Sequence, residues 1–168
     1  MHDTAYENCE RFIDKYLSEE THLQVLDVGS YDVNGTLKPL FARPGWQYVG
    51  MDHAGCAEKN VDVILHDPFC FPQDDASIDV IVSSSALEHD PMFWVTFQEM
   101  TRVSRPRGLI YLNVPSQGPY HAYPQDCWRF LKDAHSALAR WTGVDLLEHY
   151  IDEGDEWMDN VGIFRVPA

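Results

Sequence analysis

Five short apolar runs, each closed by a turn-forming or acidic residue, constrain this chain more than any other feature. They are Leu23–Val28 before Gly29, Trp46–Asp52, Val61–Asp67, Ser77–Ser84, and Leu109–Val114 before Pro115. Runs that are apolar nearly throughout, rather than alternating, are what strands buried on both faces look like. The intervening segments carry a different period. Residues Thr4 to Ser18 place Cys9, Phe12, Ile13, Tyr16 and Leu17 on one helical face, and Trp94 to Val103 repeats the pattern. Between the first two strands, Pro39 and then Pro44-Gly45 limit the stretch from Thr36 to Phe41 to a short, irregular helix. Strands alternating with helices or long connections predict a parallel sheet covered on both faces. The tail adds a loop over 116–130, a helix from Asp133 to Trp141, and strands at Asp145–Tyr150 and Val161–Val166 that suit an antiparallel edge. One domain over residues 1–168 is expected, with an N-terminal helix inside residues 1–20.

Charge narrows the partners. Twelve basic residues stand against 27 acidic ones, a net charge of -15, so phosphate backbones and anionic lipid are repelled unless cations are gathered locally. Arg102, Arg105 and Arg107 are the one close cluster, and they read as the cationic end of a helix. Neither nucleic acid nor a membrane is expected as a partner. No apolar run approaches the roughly 20 residues of a membrane helix, and the acidic, polar start at Met1 to Glu7 is not a signal peptide, so the expected location is cytoplasmic. Cys9, Cys56, Cys70 and Cys127 are scattered without a C-x-x-C pair, which predicts reduced thiols and no metal site.

Three strand ends could hold a ligand. Gly29 directly follows the first run, and a glycine there lets the backbone turn sharply and approach a ligand while free N–H groups bind a carboxylate or phosphate. The turn from Asp27 to Gly35 does not read G-x-G-x-x-G, so a dinucleotide enzyme is a weaker reading. Asp52 ends the second run about 20 residues further on, where an acidic side chain accepts hydrogen bonds from ribose hydroxyls. Asp67 ends the third, and its carboxylate could accept from an adenine amino group, although an Asp-Pro pair also opens turns.

In this order the motifs resemble those of class I S-adenosylmethionine-dependent methyltransferases. Val25-Leu26-Asp27-Val28-Gly29 is similar to the first motif of that family and Tyr48-Val49-Gly50-Met51-Asp52 to the second; Ile78 to Ser83 with Leu87-Glu88-His89 is similar to the fourth. Arg102 to Leu109 resembles the helix end and turn before strand five. The resemblance implies an α/β, Rossmann-like fold: a seven-stranded, mostly parallel sheet with helices on both faces and an antiparallel C-terminal edge. It implies S-adenosyl-L-methionine as cofactor, held by Asp27, Gly29, Ser30, Asp52, His53 and Asp67, with Ser83 and Ser84 forming a floor beneath the sulfonium. Tyr31 stands where a second glycine is usual in the family, with Ser30 and Asn34-Gly35 nearby.

The loop from Gly118 to Phe130 is too rich in aromatic and ionisable residues for a plain connector, and binding groups concentrate on such loops. It resembles a segment in methyltransferases tied to glycan or natural-product pathways. Tyr120, Tyr123 and Trp128 are expected to wall an acceptor pocket with Glu88, and Arg129 to bind an acceptor carboxylate or phosphate. The competing reading makes Trp128 core and pairs Arg129 with an acidic neighbour. His89 and His121 are candidate bases, because an oxygen or nitrogen acceptor loses a proton near transfer. The expected partners are a small-molecule acceptor bearing a hydroxyl or amine and, in a homodimer, a second copy. The alternatives are a non-catalytic cofactor-binding module and a nucleotide-binding oxidoreductase.

Overall fold

The computed structural model describes residues 2–55, 57–67 and 69–168. In chain order the elements are α1 (Asp3–Tyr16), β1 (Leu23–Val28), β2 (Trp46–Asp52), β3 (Val63–Ile64), β4 (Ile78–Ser84), α2 (Phe93–Val103), β5 (Ser104–Pro115), α3 (Ala134–Thr142), β6 (Asp145–Asp152) and β7 (Asp159–Arg165). Short turns of 3-10 helix occupy Lys38–Phe41, Ala57–Lys59 and Leu87–His89. One sheet of seven strands runs β3-β2-β1-β4-β5-β7-β6. The first five strands pair in parallel, while β7 is antiparallel to both β5 and β6, so the α/β sheet with an antiparallel edge is as expected.

Period-two geometry sorts each apolar run onto two faces. Leu26, Ile81, Ile110, Leu112 and Phe164 face one core with Phe97, Met100 and Val103 of α2 and Leu138 of α3. Val25, Val80, Val82, Tyr111, Val161 and Ile163 face the other, closed by Cys9, Phe12 and Ile13 of α1. Helices cover both faces, which is why the central strands lack a polar side. No helix among the described residues is long and apolar enough to cross a membrane.

The third and fifth strands differ most from expectation. Strand β3 pairs only through Val63 and Ile64, although Val61 and Leu65 on either side are buried. Burial therefore produced an apolar run longer than the ladder. Asp62 leaves the strand pattern because its carboxylate accepts from the Gly50 amide (2.9 Å). At the other end, β5 begins at Ser104, immediately after α2, so Arg105 and Arg107 belong to a strand and not to a helix terminus. Arg105 pairs with Asp79 (2.6 Å), and Arg102 with Asp75 and Glu99 (2.5 and 2.7 Å). The arginines are thus dispersed among carboxylates. Cys9 is buried and Cys70 and Cys127 are exposed free thiols; Cys56 lies outside the described residues.

Strand β1 has β2 on one side and β4 on the other. The chain leaves the carboxyl ends of β1 and β4 in opposite directions across the sheet, which opens the crevice where ligands bind in open α/β folds.

Candidate active site

A cleft of about 980 Å³ occupies that crevice. Its cofactor-side wall begins at Gly29, whose φ of +81° is a left-handed conformation that side chains disfavour. A Cβ added there would come within 2.2 Å of Ala86 Cβ, so the glycine is what lets the β1 turn close on the segment after β4. Opposite it, Ser85 bends the chain away from β4 with φ +51°, its amide donating to Asn113 O (2.9 Å).

The turn is braced by a polar relay. The Tyr48 hydroxyl donates to the buried carboxylate of Asp27. Asn60 Nδ2 lies 2.7 Å from that hydroxyl and 2.8 Å from Thr36 Oγ1, and Ser30 Oγ donates to Asn60 O (2.8 Å). Asn60 holds φ +64° to do this, and Gly50 makes room, since a Cβ there would stand 2.0 Å from Asn60 O. Burial pushes Asp27 up to about 7, with the nearby Asp52 charge adding to the shift and the Tyr48 hydrogen bond opposing it. No cation faces this carboxylate among its hydrogen-bond and ion-pair partners in the described residues.

Asp52 ends β2 at the cleft, 8% exposed. One oxygen accepts from Tyr31 N (3.1 Å); the other lies 2.9 Å from His53 Nδ1 and 3.3 Å from Ala54 N. Tyr31, standing where a glycine is usual in the resembling family, therefore contributes its amide to orient Asp52. Asp27, Gly29, Ser30, Asp52, His53 and Ser84 all line the cleft. Two expected members do not. Asp67 is exposed in a turn and its carboxylate accepts from Phe69 N (3.0 Å), while Leu65 and His66 line the cleft in its place. Ser83 falls one residue out of phase with Ser84, so its side chain is buried in the sheet's packing, and its hydroxyl has no partner.

The acceptor side is built by pinning the loop over 116–130 onto the 3-10 turn at Leu87–His89. Glu88 O accepts from Cys127 N and Trp128 N (2.7 and 3.2 Å), His89 Nδ1 donates to Gln125 O (2.6 Å), and Gln125 Nε2 returns to His89 O (3.0 Å). Glu88, His89, His121 and Tyr123 line the cleft, joined by His2 and Trp157, which no motif or spacing in the chain places there. The His89 and His121 rings meet edge to face with centroids 4.8 Å apart. Their Nε2 atoms lie 3.7 and 3.9 Å from Glu88 Oε1. Burial pushes the Glu88 carboxyl up to about 8 and lowers His89 below the ordinary imidazole value.

Three acceptor-side expectations are corrected. Arg129 does not line the cleft: its terminal nitrogens grip both oxygens of Asp126 (2.6 and 2.9 Å) and donate to the carbonyls of Trp128 and Pro119 (both 2.7 Å). That pairing holds Asp126 down at about 2. Trp128 packs against Phe93 and Trp94 outside the cleft, with its indole N–H on Asp90 O (2.8 Å). Tyr120 is 77% exposed and also outside it. No lysine or arginine lines the cleft among the described residues, whereas four carboxylates do, Asp27, Asp52, Glu88 and Asp90. An anionic acceptor does not suit such a lining.

Comparison with known proteins agrees with this geometry. A family model described as a methyltransferase domain matches residues 1–151. An uncharacterized methyltransferase of Mycobacterium sp. (strain JLS) is 35% identical over 157 residues, covering 82% of this chain and 61% of the relative. The chain thus spans about three-fifths of the length of such relatives. Among solved structures, the Burkholderia thailandensis 1,6-didemethyltoxoflavin-N1-methyltransferase, with 1,6-didemethyltoxoflavin and S-adenosylhomocysteine bound, superposes with a TM-score of 0.75 at 16% identity, covering 98% of this chain and 79% of that one. The [4+2]-cyclase SpnF superposes with a TM-score of 0.71 at 13% identity, covering 96% and 82%. At such identities the likeness is one of fold, and these two names show one fold carrying different chemistries.

Proposed function

We infer the activity of this cleft from a premise that the match establishes: the chain belongs to the methyltransferase domain family. The cleft binds S-adenosylmethionine and supports methyl transfer to a hydroxyl or amine of an uncharged or cationic small molecule. The observation that carries this reading is the convergence, at the switch between β1 and β4, of the Gly29 turn, the Asp52 carboxylate and the buried Asp27 carboxylate. The residues fit the cofactor. Asp27 is a buried carboxylate without a counter-cation among the described residues, which suits an ammonium group, and Asp52 presents two oxygens to a pair of ribose hydroxyls. A Cβ at Gly29 would fill the space where the backbone approaches.

When bound, the cofactor supplies a methyl group on a sulfonium whose departure leaves a neutral thioether. The chain's own residues then have to align the acceptor, keep water out and accommodate one proton. Tyr123 and Trp157 supply apolar wall on the acceptor side, and the pinned 116–130 loop encloses it. Nε2 of His121 or His89 takes the acceptor's proton, and the Glu88 carboxyl behind both nitrogens, once ionised, stabilises the resulting imidazolium.

Incubating the protein with S-adenosylmethionine labelled in its methyl group and a panel of sugars, phenols and amines, read by mass spectrometry, tests this. Label on an acceptor supports it. Cofactor binding without transfer to any hydroxyl or amine favours a binding module, and a melting shift with NAD but not with S-adenosylhomocysteine favours the oxidoreductase reading.

A further inference from the structure

Two side-chain groups among the described residues have the composition of a metal site, and hydrogen bonding separates them. In the first, His2 with Asp155 and Asp159, the imidazole Nε2 lies 2.9 Å from both oxygens of Asp159, and the Thr4 hydroxyl lies 2.8 Å from an oxygen of each aspartate. Protons already stand between those acceptors. The second, Glu88 with His89 and His121, is different.

His89 Nδ1 lies 2.6 Å from the carbonyl of Gln125, so Nδ1 carries the proton and Nε2 is a bare lone pair when the ring is neutral. His121 Nδ1 sits 3.2 Å from Pro119 O and 3.3 Å from Asp126 Oδ2, two acceptors, with Arg129 Nη2 further away at 3.4 Å. Its Nε2 is bare by the same argument. Both bare nitrogens lie near Glu88 Oε1, at 3.7 and 3.9 Å, beyond hydrogen-bonding distance. Glu88 is 1% exposed and its Oε2 has no hydrogen-bond partner among the described residues. Two imidazole lone pairs and a carboxyl group thus gather within 4.8 Å of one another on the cleft wall.

A backbone carbonyl or carboxylate on the distal nitrogen of each histidine is also how metal-binding imidazoles are oriented. Bonds of about 2.0–2.2 Å to a tetrahedral cation put neighbouring donor atoms about 3.4 Å apart. The two nitrogen–carboxyl separations observed here, 3.7 and 3.9 Å, exceed that by a few tenths of an ångström, and the three donor atoms all lie within 4.8 Å of one another. Two imidazoles and one carboxylate select a first-row transition metal over magnesium or calcium, and three protein donors leave positions open. All three residues line the cleft, so those positions face the bound acceptor.

We propose that Glu88, His89 and His121 bind a divalent transition-metal cation, and that the acceptor is a molecule whose paired oxygens, as in a vicinal diol or a hydroxy-ketone, chelate it. The proposal rests on the acceptor pocket described above and refines it. In the metal-loaded protein the two nitrogens act as ligands, and the cation, instead of an imidazole, makes the acceptor hydroxyl acidic, its proton leaving to water.

The test is titration of chelator-treated protein with cobalt(II), followed by visible absorption and by calorimetry, with zinc(II) as competitor. S-adenosylhomocysteine binding is measured in parallel. One cobalt per chain, displaced by zinc, is expected. Glu88→Gln and His121→Ala are expected to weaken binding by more than roughly 10-fold, the least that losing even an outer-shell partner costs. Asp155→Asn, in the other group, leaves it unchanged. Circular dichroism confirms that the variants are folded, and because Gln is nearly isosteric with Glu, a misfolded His121→Ala still leaves the site tested. Absence of cobalt binding, or binding that Glu88→Gln and His121→Ala leave intact, overturns the site. S-adenosylhomocysteine binding without cobalt binding overturns this inference and leaves the methyl-donor reading standing; cobalt binding without S-adenosylhomocysteine does the reverse.

Discussion

Replacing Asp27 with asparagine isolates the energetic consequence of placing a carboxylate at the end of β1. Burial raises this group from its ordinary 3.8 to about 7. The unfolded chain releases the proton near pH 4 while the folded chain keeps it until about pH 7, so stability is unaffected below 3.8, falls between the two values and is flat above them. At about 1.4 kcal/mol per pH unit, the cost is about 2 kcal/mol at pH 5 and about 4 kcal/mol at pH 8. Asparagine keeps an acceptor for the Tyr48 hydroxyl but adds an amide group that needs partners, a penalty of about 1–3 kcal/mol that does not vary with pH. The informative quantity is therefore the difference between wild type and Asp27→Asn at two pH values, in which that penalty and every other titration cancel. Urea denaturation at pH 5 and pH 8 should show the variant gaining about 2–3 kcal/mol on the wild type between them. The same variant should bind S-adenosylhomocysteine more weakly, because a site that favours a ligand's charge destabilises the empty fold. A gap that is the same at both pH values refutes the argument that Asp27 is an ionisable group held in a desolvated position.

Other consequences follow from single contacts. Gly29→Ala should cost at least about 2 kcal/mol in denaturation, since it combines a left-handed φ with a Cβ 2.2 Å from Ala86 Cβ; a variant as stable as wild type would contradict that close approach. Arg129→Met should destabilise by about 2 kcal/mol and speed proteolytic cutting within residues 116–130, because it removes the cation from Asp126 and a donor from the carbonyls of Trp128 and Pro119; unchanged cutting with weakened acceptor binding would return Arg129 to the pocket. His135, buried in α3 beside Asn160 O (3.1 Å), is held down at about 4 by desolvation. It stays neutral in the fold while the unfolded chain gains a proton below 6.5, so up to about 3 kcal/mol is lost as pH falls from 6.5 to 4. Acid denaturation of His135→Gln should lack that component.

What the chain discloses before folding depends on whether a residue's role is local. The buried strands were legible because burial on both faces suppresses alternation, and the glycine turn and Asp52 were legible because strand ends sit at fixed sequence positions. The third strand was over-read for the same physical reason: Val61 and Leu65 are apolar because they are buried, not because they pair. Ser83 and Ser84 differ only in the phase of a two-residue period, which a run of three serines does not reveal. Asn60 was invisible, since its role depends on a left-handed backbone that brings it beneath Tyr48 and Thr36. The charge state of Arg129 was readable but its availability was not; Asp126, three residues earlier, takes it. The meeting of Glu88 with a histidine 33 residues later is made by the fold alone.

The central claim is that the crevice between β1 and β4 holds an S-adenosyl ligand through the Asp52 carboxylate and the Gly29 turn. Titration calorimetry with S-adenosylhomocysteine measures this directly. A single site with micromolar affinity is predicted, weakened by about 1–3 kcal/mol in Asp52→Ala as charge-assisted hydrogen bonds are lost. No heat at millimolar ligand, or an affinity that Asp52→Ala leaves unchanged, would contradict it.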